Sequence, residues 1–170
     1  MKSMPQPPVQ PDPVKPGQES VWDYPRPAIC QPTARHIQVI HQGVYVADTH
    51  QSMRTLETSH APSYYFPPEH VQMQYLQPSL HRTFCEWKGQ AQYFDVIIGD
   101  QRLSNAAWRY HDPSATFIAL RNYISFYADP FDQCLVDGEK VTPQPGDFYA
   151  GWITSHIAGP FKGGPGSRFW

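Results

Sequence analysis

Along the middle of the chain, apolar and polar residues alternate in short runs broken by turn-forming pairs. "HIQVI" and "VYVAD" are two such runs around Gln42-Gly43. "YFDVII" and "RLSNAAWRY" flank Gly99-Asp100, a Gly-X pair suited to a type II′ turn. "QCLV" and "EKVT" flank Asp137-Gly138, a pair suited to type I′. Three turns of this kind between β-branched or aromatic segments predict antiparallel sheet. Helical character is confined to two short pieces. One follows "PPEH", where Pro68 fits a first helical turn and Glu69 favours its dipole. The other is "SATFIALRN", with Ser114 as its N-cap, before "YISFY" returns to strand. The expectation is one mostly-β domain over residues 19–150.

The densest chemistry lies in "HRTFCEWKGQAQYF", residues 81–94. If residues 83–93 form a regular strand, Cys85, Trp87, Gly89, Ala91 and Tyr93 share an apolar face, while Glu86, Lys88, Gln90 and Gln92 share a polar one. Cys85 would then be part of a core, and Lys88 would diverge from it. A turn or bulge at "CEWKG", which Gly89 permits, would instead let the two cooperate. In "SNAAWRYHDP", Ala106, Trp108 and Tyr110 share a face, so small residues beside large rings either admit a neighbouring sheet or leave a cleft. In "LETSHAPSYYFPPEH", Glu57 follows a strand-like "RTL", and Tyr64-Tyr65-Phe66 are expected in an extended loop between two prolines.

Composition changes this picture at the ends. Nine of the nineteen prolines fall within residues 1–32. Residues 1–18 have no apolar periodicity to offset ordering entropy and read as a disordered or polyproline-like arm, a candidate docking segment for a protein partner. "ESVWDYPRP" brings Trp22 and Tyr24, which suggests that the arm docks near there. The segment 151–170 holds five glycines and two prolines among large aromatics, and is expected to wrap the domain as a ring-anchored tail.

The formal charge of −2 and a charged fraction of 16% supply no basic stripe for nucleic acid. No apolar run approaches the length of a membrane span, and the N-terminus lacks the apolar core of a signal peptide. Three cysteines without a CxxC pair then point to a reducing, cytoplasmic setting. Eight histidines contain no HExxH, and "PFKGGPG" lacks the lysine spacing of a phosphate loop. No cofactor and no metal are implied. Asp129 and Asp132 in "DPFD" match poorly the carboxylate pair that holds magnesium in nucleotidyl transfer.

The run "LETSHAPSYYFPPEHVQMQYLQPSLHRTFCEWKGQAQYF", followed by "NAAWRY" and "ISFY", closely resembles domain-of-unknown-function family 427, sometimes labelled nucleotidyltransferase-like. The tail "GWITSHIAGPFKGGPGSRFW" also looks like that of its longer members, so the resemblance covers residues 20–170. It implies a β-tent-like fold, with two antiparallel sheets pinned at one edge and splayed around a pocket. Several β-tent relatives hold zinc through two cysteine pairs at the pinned end. This chain lacks those pairs, so zinc is not carried over. By the same resemblance the family's motif positions fall on Glu57, Tyr65, Cys85, Lys88, Gly89, Tyr93, Trp108 and Tyr110.

The functional expectation is a small-molecule-binding domain with Tyr65, Tyr93, Trp108 and Tyr110 lining a pocket between two sheets. Lys88 and Glu57 would face each other and fix the ligand's polar end. Two alternatives stand beside it. An enzyme would use Glu57 as general acid or base, Lys88 to stabilise negative charge and Cys85 as nucleophile. An adaptor would use the proline-rich arm.

Overall fold

The computed structural model describes residues 9–146 and 149–170. Among the described residues, fifteen strands run in chain order: β1 Glu19–Ser20, β2 Ile29–Thr33, β3 Ile37–His41, β4 Val44–Thr49, β5 Ser52–Leu56, β6 Ser63–Phe66, β7 Leu76–Cys85, β8 Gly89–Ile98, β9 Gln101–Tyr110, β10 Ile124–Phe126, β11 Gln133–Val136, β12 Glu139–Lys140, β13 Thr142–Pro143, β14 Trp152–Ile153 and β15 Ile157–Ala158. Among the described residues, seven strands form a large antiparallel sheet in the order β2-β5-β6-β10-β9-β8-β7. Four form a smaller antiparallel sheet, β12-β11-β3-β4. Two short ribbons, β1-β15 and β13-β14, complete the set.

Turn chemistry accounts for the hairpins. Gln42 and Gly43 both have positive φ (47° and 76°), as do Asp137 and Gly138 (50° and 81°), the requirement of a type I′ turn. At the β8-β9 turn Gly99 takes φ 57° while Asp100 stays negative, the type II′ arrangement. The mostly-β expectation therefore holds, with two differences. The helical pieces are 3-10 turns, among them Pro68–His70 and Ala115–Leu120. Tyr64–Phe66 belong to a strand, β6, paired on both sides, rather than to a loop.

The space between the two sheets is filled. Ile37, Val39, Val46, Cys134 and Val136 of the small sheet meet Phe66, Phe94, Val96, Ala107, Ile124 and Phe126 of the large one. Burying an aliphatic or aromatic side chain of this size contributes about 1.5–3 kcal/mol, so this layer dominates the fold's stability. Trp152 enters it from the tail, with rings of Tyr64 and Phe66 at 5.5 and 6.4 Å, and donates its indole N–H to the Phe126 carbonyl at 3.0 Å.

The first described residues meet the C-terminal segment. The Asp12 N–H donates to the Gly159 carbonyl at 2.9 Å, β1 pairs with β15, and the Trp22 indole donates to the Pro160 carbonyl at 2.9 Å. Trp22 also meets the Trp170 ring edge-on at 5.4 Å. Of the proline-rich arm, residues 1–8 lie outside the described residues. Among the described residues no helix is long and apolar enough to cross a membrane.

Trp152→Phe keeps a ring in the inter-sheet layer but removes the donor to Phe126. Denaturant unfolding should show a loss of about 1–3 kcal/mol, the cost of a buried hydrogen bond left unmade.

Candidate functional site

Residues 83–93, which as a regular strand would have separated Lys88 from Cys85, form a hairpin instead. β7 ends at Cys85, β8 starts at Gly89, and Glu86-Trp87-Lys88 turn the chain. Gly89 sits at φ 110°, a backbone conformation that strains any side chain, and a Cβ there would meet the Asp112 carbonyl at 3.2 Å. Ser114 clamps the turn from outside. Its N–H donates to the Lys88 carbonyl at 3.1 Å and its hydroxyl to the Trp87 carbonyl at 2.5 Å. The reversal brings Lys88 Nζ to 3.8 Å from Cys85 Sγ and to 5.5 Å from the Phe117 ring centre. The turn alternative, not the strand, is therefore the correct reading, and Cys85 is half-buried.

The four predicted rings lie close together on the large sheet. A row of directly opposed residues crosses it: Met53, Tyr65, Ser125, Trp108 and Tyr93. Tyr110 stands opposite Ala91, one step along. Their strand neighbours Phe66, Phe94 and Ala107 face the small sheet, so the row faces the other way. The rings thus do not line a hollow between the sheets; they cover the large sheet's outer face. Alternation reveals which residues share a face, but not which face receives the second sheet.

This outer face has its own cover. Phe117 and Leu120 of the 3-10 turn Ala115–Leu120 pack onto the rings, and Cys30 Sγ of β2 approaches the Thr116 carbonyl at 3.7 Å. Tyr65 is 1% exposed, Trp108 5%, Tyr93 6% and Tyr110 6%. They form a second packed cluster, with Tyr65 edge-on to Trp108 at 6.3 Å. Burial pushes the Tyr65, Tyr110 and Tyr127 phenols above their ordinary range, so all three remain protonated hydrogen-bond donors. Burial likewise raises the thiols of Cys30 and Cys134.

Glu57 follows β5 and keeps different company. Its carboxylate is 3.5 Å from His60 Nδ1, and that nitrogen is 2.9 Å from the Thr58 carbonyl. Burial lowers the His60 pKa, and the opposing pull of Glu57 does not overcome it, so the contact joins a carboxylate to a neutral imidazole at neutral pH. No hydrogen bond or ion pair joins Glu57 to Lys88 among the described residues. The expected pair of facing charges is not formed, because each side chain finds a partner within three residues of itself.

An open recess lies at the edge of the ring-bearing face, where β10 ends. It has a volume of about 470 Å³, and its walls include Asn105, Tyr127, Asp129, Gln144, Tyr149 and Gly151. The Tyr127 ring packs on Trp108 at 4.7 Å, which ties the recess to the aromatic row. Gln144 is a fixed wall: its Oε1 accepts from the Ala61 N–H at 3.0 Å and its Nε2 donates to the Lys162 carbonyl at 2.9 Å. None of Glu57, Lys88, Cys85, Tyr65, Tyr93, Trp108 and Tyr110 lines it. The strand expected at "ISFY" is present as β10, and Tyr127, outside the expected site, was signalled only by its alternation with buried Phe126. Gln144, Tyr149 and Gly151 come from an irregular segment with no periodicity to flag them. Among the described residues, no three His, Cys, Asp or Glu side chains are grouped to hold a metal.

A family model described as a domain of unknown function (DUF427) matches residues 29–137, from β2 through the turn after β11. A comparison with curated proteins gave no match.

Because His60 is held neutral below its usual value of about 6.5, the unfolded chain takes up that proton first. Stability should fall as pH drops below about 6.5, and His60→Gln should lose less stability than wild type between about pH 7.5 and about pH 5.5 in denaturant titrations.

Proposed function

The chain belongs to domain-of-unknown-function family 427, whose description carries no activity, and we propose from the site itself that it is a small-molecule-binding domain. The ligand occupies the recess beside the aromatic row. One observation carries this reading: a cavity of about 470 Å³ whose lining includes a tyrosine that is itself packed on a buried tryptophan. That volume falls in the usual range for ligand pockets of about 300–1,000 Å³. A ring flanked by a fixed carboxamide gives a planar ligand one apolar contact surface and a wall that does not collapse into the void.

The buried rows have a supporting role. Trp108 and Tyr93 hold Tyr127 in place, and Tyr65 and Tyr110 pack behind them rather than touching the ligand. Lys88 and Glu57 sit outside the recess lining, so neither fixes the ligand's polar end here.

A second reading has its own observation, the 3.8 Å approach of Lys88 Nζ to Cys85 Sγ. In it the β7-β8 turn presents a nucleophilic sulfur with a cation beside it. Glu57 drops out of that constellation, since its partner is His60.

Screening planar aromatic compounds by thermal shift should yield a stabilising ligand. Tyr127→Ala should abolish the shift, and so should Ser104→Trp, which fills the recess from an exposed position. Unchanged shifts in both variants would place the ligand elsewhere. For the second reading, iodoacetamide should alkylate Cys85 in the folded protein at neutral pH, ahead of Cys30 and Cys134. Labelling of Cys85 only after denaturation removes it as a nucleophile.

A further inference from the structure

We infer that the recess selects an organic cation, an amine or amidine carried on a flat apolar body, over a neutral or phosphorylated ligand. The inference rests on the recess being the binding site. Its basis is the charge inventory of the walls. Asp129 is the charged residue among the described lining residues, and no lysine, arginine or histidine joins it there.

The two carboxylates of "DPFD" are used differently. Asp132 Oδ2 accepts from the Gln42 N–H at 2.7 Å, and Oδ1 lies 3.6 Å from His41 Nδ1. It anchors the β3-β4 turn. Asp129 makes no hydrogen bond or ion pair with another described residue, and it sits at the rim of the recess. An unpaired carboxylate costs little at an exposed rim, but it gives the cavity a negative potential that none of the described lining residues offsets.

The other walls favour the same charge. The Tyr127 ring belongs to the same lining, and an aromatic ring attracts an ammonium or amidinium group placed over its face. A phosphate in the same space would meet a carboxylate with no counter-cation among the described lining residues. Lys88, which could serve an anion, is committed to the Cys85 and Phe117 side of the sheet. A triphosphate is therefore the wrong cargo for this cavity.

Three probes on one ring separate the possibilities: benzylamine, benzyl alcohol and benzoate, titrated into the full chain and read by tryptophan fluorescence and calorimetry. Benzylamine should bind about two- to fivefold tighter than benzyl alcohol, the scale of one solvent-exposed ion pair, with benzoate weakest. Added salt should weaken benzylamine alone. Asp129→Asn should bring benzylamine to the affinity of benzyl alcohol and leave the alcohol unchanged. Equal or tighter binding of the alcohol or benzoate overturns the cation preference while the recess reading stands, and so does an amine preference that survives Asp129→Asn. Binding of none of the three overturns both.

Discussion

The fold depends on one constraint: the central strands of the large sheet are apolar on both faces, so the sheet needs two covers. Phe66, Phe94, Ala107 and Phe126 point one way; Tyr65, Tyr93, Trp108 and Tyr110 point the other. Water on either side would leave a row of large rings exposed, at a cost of a few kcal/mol for each. The four-stranded sheet supplies one cover. Irregular chain supplies the second, through Phe117 and Leu120 over the middle and Ala150 at one side.

The two covers differ in what they can do. Sheet on sheet interdigitates at regular spacing and fills the layer. A 3-10 turn and a loop have no repeat matched to the strands beneath them, so their fit is incomplete, and the recess opens where one of them ends. Function is better sought there than in the inter-sheet layer, where Trp152 has taken the remaining space and its indole hydrogen is already used.

The charged side chains expected to form the site keep local company. Lys88 and Cys85 meet because a tight turn folds them together, and Glu57 and His60 meet across three residues. Both contacts are local. A pairing of Glu57 with Lys88 would have needed two distant segments to agree, and each group has closer company. The first described residues show the opposite case: Asp12, β1 and Trp22 are held by Gly159, β15 and Pro160, far away in sequence.

Much of the architecture was written in local signals. Asp137-Gly138, Gln42-Gly43 and Gly99-Asp100 each demand a particular turn, and a turn sets the register of its hairpin whatever the rest of the chain does. Alternation grouped Trp108 with Tyr110, and Gly89 marked where a turn was allowed. Which face of the large sheet meets its partner was beyond such signals, because an apolar residue is equally suited to either cover. The same holds for the recess, whose walls at Tyr127, Asp129 and Gln144 come from three segments without shared periodicity. Local backbone preference decides turns and strands; only the packing of the whole chain decides where space is left over.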